Sequence, residues 1–544
     1  MKRTGVHHGL MMGLLALWAL ACGGDDGDDG DGGGGGEAQA EAGAMTADAS
    51  AAAPAAAEDA AGSDRQAGAP PEVITHARDW PMANRDYAST RATFDTAIDS
   101  ENVGELAECW RFALPGASVF GFVTSNPLIL GDLVLIQDMA SNVFALDRRD
   151  GSMRWQALYQ LSTVGPNGVA VGWGKVFASR GDMGLVALDL ESGEELWRFD
   201  PPLRSSEGLD IQPLVFDDMV LISTVPASLR GAYLGGSRGV IYALDQQSGR
   251  EIWRFDTVDS EDIWGNASVN SGGGAWYPPS IDPERGLSYW GTGNPGPFPG
   301  TPEHPSGSSR PGDNFFTSGL LALGLRDGAL AFFHQERAHD LFDWDFQNPP
   351  ILVKQGLEGP REDLVVGSGK TGTVVALAAD GGALRWRAEV GVHENDALET
   401  LSTEPITVSP GVFGGVLTPP AYAEGVVYVP VVDLPSDFTE SSVVFDFAEG
   451  RGALTALAIE DGREIFSFAL PAPALGGALV VGDLVFTSDA NGGVYGLRRA
   501  DGQMLFHRDM GAGINAPLAA AGSMLLVPAG YATLEPALVA LCLP

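Results

Sequence analysis

ALDRRDGSMRW (145–155), ALDLESGEELW (187–197) and ALDQQSGREIW (243–253) are copies of one eleven-residue pattern, with Gly at the seventh position and Trp at the eleventh. Looser copies follow: ALGLRDGALAF (322–332), ALAADGGALRW (376–386), ALAIEDGREIF (456–466) and GLRRADGQMLF (496–506). Each reads as a β-strand, a Gly-containing tight turn and a second strand ending in a large aromatic. Upstream of most copies lie two more β-rich runs, such as IQPLVF (211–216) and MVLIST (219–224), which complete a four-stranded unit. Repetition of such a unit predicts an all-β chain folded as a β-propeller.

The chain ends set the blade count. Trp-Arg-Phe follows two of the repeat turns, at 197–199 and 253–255, and recurs at 110–112 with no Ala-Leu-Asp before it. Conversely, the C-terminus reads Ala540-Leu541-Cys542 and stops before any aromatic strand. One blade therefore takes its inner strands from the C-terminus and its outer strand from the N-terminal side, which makes eight blades over residues 76–544. Cys109 immediately precedes the aromatic of that outer strand, and Cys542 occupies the Asp position of the truncated repeat. Those positions lie on neighbouring strands, so ring closure is expected to bring Cys109 and Cys542 together as a disulfide in an oxidising compartment.

With 544 residues, 44% hydrophobic and only 19% charged, the chain has ample material for a core. Acids outnumber bases 71 to 32, for a net charge of −39. That balance excludes nucleic acid and basic-patch lipid binding as roles, since both need a positive face. There is no CxxC for zinc and no CxxCH for covalent haem. Lys2 and Arg3 precede an apolar run, GLMMGLLALWALA (9–21), too short to span a bilayer comfortably. The run ends in Ala19-Leu20-Ala21 before Cys22, which resembles a bacterial lipobox. Residues 1–21 are accordingly expected to be an export signal and Cys22 the lipidated first residue, anchored in the cell envelope on its periplasmic or outer-membrane face. Residues 22–75, which after Cys22 run GGDDGDDGDGGGGG, hold few side chains that could fill a core and read as a disordered acidic tether.

Longer segments resemble the quinoprotein alcohol dehydrogenases, eight-bladed propellers with tryptophan-docking repeats that hold pyrroloquinoline quinone (PQQ). They are DWPMANRDYASTRATFDTAIDSENVGELAECWRF (79–112), SGGGAWYPPSIDP (271–283), GTGNPGPFPG (291–300), SRPGDNFFTSGLLAL (309–323) and HDLFDWD (339–345). The resemblance implies that Trp276 stacks on the quinone, that Asn294 and Asp343 are calcium ligands with Asp343 the catalytic base, and that Lys370 in GSGKTG touches the quinone oxygens. It also implies an alcohol or polyol substrate and, without a haem, an external electron acceptor. Two family features are missing. The loop expected to carry a glutamate calcium ligand reads VPASLRGAYLGGSRG (225–239), with no acid, and the place of an adjacent-cysteine disulfide reads ALYQLSTVG (157–165).

Strand order gives the four residues a common location without the resemblance. The repeat turn joins the third strand of a blade to the fourth and marks one face of the disc. Loops between the second and third strands, and loops from one blade to the next, emerge on the opposite face. Trp276, Asn294, Asp343 and Lys370 all fall in such loops. Copies starting at 243 and 376 are followed by intervals of 79 and 80 residues, long enough for insertions where function concentrates. A carboxylate such as Asp343 can take a hydroxyl proton, and a hard cation beside it polarises oxygens. The rival expectation is a non-catalytic propeller lipoprotein that presents its loops to partner proteins; the missing glutamate and cysteine pair favour it.

Overall fold

The computed structural model describes residues 68–182, 184–203, 206–229, 231–354 and 362–544. The expected export signal, Cys22 and the tether up to residue 67 lie outside the described residues. The tether boundary at 75 is corrected. Residues Pro71–Thr75 form a short helix, Val73 is buried, and Glu72 accepts hydrogen bonds from the Trp173 and Gly174 amides at 2.8 and 2.6 Å. Val73 and Glu72 give these residues something to bury and something to cap, which the Gly/Ala/Asp composition before them lacks.

Eight antiparallel sheets form the ring, six of four strands and two of five; Ala92–Thr93 adds a parallel strand to blade 7 and Gly513–Ile514 a short strand to blade 8. Blade 1 comprises Leu128–Leu130, Leu133–Gln137, Val143–Asp147 and Met153–Ala157 in that order. Blades 2 to 7 repeat the pattern over 169–199, 214–256, 280–335, 351–389, 421–470 and 479–509. Blade 8 joins Ala519–Ala521, Met524–Tyr531 and Ala537–Cys542 to the N-terminal strand Ala107–Ala113, with Trp110 opposite Ala540. The inner strands are continuous apolar runs such as LIL and VFALD because neighbouring blades cover both their faces. The outer strand MRWQA is largely exposed, with its Trp half-buried.

The repeat's Gly and aromatic belong to different blades. Trp110 of blade 8 lies on Gly151 of blade 1, where a Cβ would sit 2.6 Å from the indole. The Trp110 Nε1–H donates to the Arg148 carbonyl at 2.9 Å. The same dock recurs from Trp155 to Leu190, Trp197 to Gln246, Trp253 to Leu325 and Trp386 to Ile459, at 2.7–3.2 Å. Phe332 and Phe466 make the ring contact alone, against Gly382 and Gly502. Gly is required twice over: Gly151 has φ 71°, and the approaching ring leaves no room for a side chain. Blade 8 is also held covalently. Cys109 and Cys542 form a disulfide with Cα atoms 5.8 Å apart across 433 residues.

Residues 80–97 form a strap that sequence reading treats only as the domain's opening segment. It bonds in turn to the inner strands of most blades. Trp80 exchanges both main-chain bonds with Ile129, and the carbonyls of Tyr87, Ala88, Thr90 and Arg91 accept from Ile281, Leu352, Tyr422 and Val480. Arg91 is fully buried and donates to Asn84 and Asn126 side chains and to the Ala83, Ala478 and Leu518 carbonyls. The strap thereby ties the ring together across its axis.

Candidate functional site

A pocket of about 180 Å³ opens among loops that all run either between second and third strands or from one blade to the next. Loops of all eight blades contribute, so the pocket sits on the central axis, on the face opposite the repeat turns. Trp276, Asp343 and Lys370 line it. Both long insertions reach it. The first carries Trp276 and Asn294; the second supplies Phe413 and Leu417 and carries its own small sheet of Ile406–Val408, Ser436–Phe438 and Val443–Val444.

The loop after blade 4 is shaped by Asp340, whose two carboxylate oxygens accept the Phe342 and Trp344 amides at 3.1 and 2.9 Å. Arg310 holds the same loop from beneath, donating to the Asp340 carbonyl at 2.5 Å. Phe342 and Trp344 bury their rings 4.5 Å apart, while Asp343 and Asp345 line the pocket. Asp343 adopts φ 64°, a left-handed conformation uncommon outside glycine. Strain of this kind gathers at functional sites.

Asp345 is the hub, and sequence reading placed it only within an acidic loop. Its Oδ1 accepts the Asn294 amide at 2.8 Å and the Trp276 Nε1–H at 3.3 Å. Its Oδ2 pairs with the Lys370 ammonium at 2.7 Å. Lys370 also donates to Asp343 Oδ2 at 2.7 Å. The Trp276 indole lies so close to Gly165 that a Cβ there would meet the ring at 2.6 Å. Asn294 is fully buried; it joins the others through Asp345 and is not itself in the pocket wall. The structure thus brings Trp276, Asp343 and Lys370 to one wall and Asn294 behind it.

Burial pushes the Asp343 carboxyl well above the usual carboxylate range; Lys370 opposes that shift and Asp345 adds to it. Burial would lower the Lys370 ammonium, but the two carboxylates outweigh it and keep it protonated. One oxygen of the pair is idle: Asp343 Oδ1 is buried without a hydrogen-bond partner. Such a group calls for a hydrogen-bond donor, which a buried water or a ligand hydroxyl can supply. Beside the pocket, Asp210 is pushed up to about 7 by burial, against the Val164 and Gly165 amides that hold it down. Thr163 also donates to Asp210.

A planar PQQ fits this wall in its chemistry. The pocket offers the Trp276 ring and apolar side chains, and an ammonium with three N–H donors of which two are used. A calcium ion does not fit these side chains, Asn294 and Asp343 included, as they are hydrogen-bonded here. Calcium takes six or more oxygens. Here Asn294 Oδ1 accepts the Tyr233 hydroxyl at 2.5 Å, and one oxygen each of Asp343 and Asp345 belongs to Lys370. Among the described residues no three acidic, His or Cys side chains are grouped to hold a metal.

Comparison with known proteins agrees with this fold. A family model described as PQQ: Glucose/ethanol/alcohol dehydrogenase, beta-propeller domain, matches residues 204–390. A second, described as Outer membrane protein assembly factor BamB, matches 370–537. The quinohemoprotein alcohol dehydrogenase of Comamonas testosteroni is 26% identical over 510 residues, covering 80% of this chain and 70% of that protein. Methanol dehydrogenase [cytochrome c] subunit 1 of Paracoccus denitrificans is 28% identical over 360 residues, 58% of this chain. The chain spans only about half of that subunit, 54% of its length. The crystal structure of the Comamonas testosteroni enzyme superposes with a TM-score of 0.75 at 23% identity, covering 87% of this chain and 81% of that one. The chain is therefore a PQQ-type eight-bladed β-propeller, distantly related to the quinoprotein alcohol and methanol dehydrogenases.

Proposed function

We propose that the axial pocket binds PQQ and that the protein oxidises an alcohol or polyol. The observation that carries this reading is the idle, buried Asp343 Oδ1 in the same wall as Trp276 and the Lys370 ammonium. Asp343 Oδ1 accepts the substrate hydroxyl and takes its proton as hydride leaves the carbinol carbon. A carboxyl raised toward neutrality is better matched to that task than an ordinary one. Bound PQQ supplies the two-electron acceptor. Lys370 offers its remaining N–H to a quinone oxygen, while Asp345 fixes the Lys370 position and the Trp276 ring. The apolar wall excludes water and so strengthens these charges. Electrons leave to an external acceptor, and residues 1–22 export the protein and tether it to a membrane by lipid on Cys22.

A second reading is a non-catalytic envelope scaffold. The match of residues 370–537 to an outer membrane assembly factor supports it, as does the use of Asn294 Oδ1 by Tyr233. Titrating PQQ into the purified protein separates the two. The enzyme reading expects saturable quinone absorbance that weakens in Trp276→Ala, together with alcohol-dependent dye reduction lost in Asp343→Ala. No PQQ binding, or equal dye reduction in Asp343→Ala, overturns it.

A further inference from the structure

The positive charge that balances the two pocket carboxylates is an amino acid. We propose that Lys370 and Tyr233 together close the metal position, so that the pocket takes its ligand without a divalent or trivalent cation. This rests on the PQQ reading only for the expectation that a cation belongs there.

Charge comes first. Asp343 and Asp345 each place Oδ2 at 2.7 Å from Lys370 Nζ, and burial of all three leaves little water to screen them. A cation bridging those carboxylates would lie against the ammonium and be repelled by it. The Lys370 main chain is held in place, since its amide donates to the Asp345 carbonyl at 2.8 Å and a Cβ on Gly415 would meet the Lys370 carbonyl at 2.3 Å.

The oxygen count points the same way. Asn294 Oδ1 is a further hard oxygen nearby, and the Tyr233 hydroxyl donates to it at 2.5 Å. The Asn294 amide group donates to the Pro295 carbonyl at 3.2 Å, which fixes which way the side chain faces. Tyr233 is buried, edge-on to Phe298 at 5.1 Å. A Cβ on Gly296 would meet its ring at 2.8 Å, so that glycine is what admits the ring. The hydroxyl is therefore a built partner of Asn294. A carboxylate at 233 would instead add an anion beside Asn294, turning a satisfied amide into one corner of an oxygen cage. The acid-free loop 225–239 thus has a structural meaning: its tyrosine occupies the position from which an acid would reach the site.

The test reads cation binding directly, with the full-length protein after chelator treatment. Terbium(III) is titrated and its luminescence excited through tryptophan; Asp343→Asn and Trp276→Phe report whether any signal comes from the pocket. Wild-type luminescence should be the same in Asp343→Asn. Tyr233→Glu, or Lys370→Met should the first variant fold poorly, should bind at least tenfold tighter, and that gain should vanish when Asp343→Asn is added. Saturable wild-type binding of terbium or calcium that Asp343→Asn abolishes would overturn the proposal, as would no gain in either folded variant. PQQ titrated with and without chelator keeps the two readings apart. Binding that needs added calcium defeats this inference and leaves the enzyme reading standing, whereas no PQQ binding at all defeats only the latter.

Discussion

Gly249→Ala tests whether the repeat works as a dock between blades. Gly249 has φ 69°, which costs an L-residue roughly 1 kcal/mol. A Cβ there would also lie 2.6 Å from the Trp197 ring, well inside van der Waals contact. The indole must move by most of an ångström, and its Nε1–H bond to the Gln246 carbonyl, at 3.2 Å, is lost or stretched. That adds about 1 kcal/mol for the bond and about as much again for lost ring contact. The whole comes to roughly 3 kcal/mol. Gly286→Ala is the matched control, because Gly286 has φ 67° with nothing within 4 Å of its Cβ position; it should cost only about 1 kcal/mol. Thermal unfolding followed by near-ultraviolet circular dichroism should give a clearly lower Tm for Gly249→Ala than for Gly286→Ala. Amide exchange should accelerate first in blades 2 and 3. Equal Tm values would mean that the glycine serves backbone conformation alone, and the docking argument would fall.

Asp210→Asn should change how stability depends on pH. The native carboxyl holds its proton up to about pH 7, raised by burial from 3.8, while the unfolded chain releases it near 4. Native protein therefore binds more protons between those values, so its stability falls as pH rises, by up to about 4 kcal/mol above pH 7. The Tm advantage of Asp210→Asn over wild type should grow from pH 5 to pH 8; a flat difference would contradict the buried-acid account. Replacing Cys109 and Cys542 by Ser removes a staple across 433 residues and should cost about 2–4 kcal/mol. An unchanged Tm would show that docking alone closes the ring. Any alcohol-dependent dye reduction should rise with pH through a value above the ordinary carboxylate range, because burial raises Asp343 and only its ionised form can accept the proton. Asp343→Asn should lower the rate by roughly 10²-fold or more with an unchanged circular dichroism spectrum; a profile already flat from pH 4 would remove Asp343 as the base.

The fold was legible because each repeat carries a conformational demand and a large ring at fixed spacing, a signal that survives loose copies such as 496–506. That the ring of one repeat meets the glycine of the next was not legible, since spacing along the chain does not say which blade an aromatic faces. Strand order put Trp276, Asp343 and Lys370 on one face, and the family resemblance picked them out from the other residues there. Asp345 escaped because three acids in an irregular loop have no periodicity to separate hub from neighbour. Tyr233 escaped because an aromatic among glycines reads as filler until its hydroxyl is seen on Asn294. The strap at 80–97 works mainly through main-chain bonds to the blades, which leave no side-chain pattern.

Ring closure and site chemistry are one problem in this molecule. The pocket draws its walls from every blade, so an error at any dock would be carried to the axis, where Lys370 must lie 2.7 Å from two carboxylates at once. Positioning of that kind needs tolerances of about 0.5 Å. A propeller whose last blade is shared between the two ends is weakest where those ends meet, and that is where Trp110 docks on Gly151 and the disulfide lies. The strap adds bonds to inner strands rather than rims, and it brings Arg91 to the interior. Burial lowers that guanidinium to about 9, with Tyr277 of the pocket wall opposing the shift. Its hydrogen bonds all go to neutral oxygens, so its charge is not cancelled by a carboxylate partner. Arg91 from the strap thus adds a second buried cation beside Tyr277 of the pocket wall, while Lys370 from blade 5 neutralises Asp343 and Asp345. A strongly acidic protein can in this way keep a pocket open to an anionic ligand, provided the ring stays closed around it.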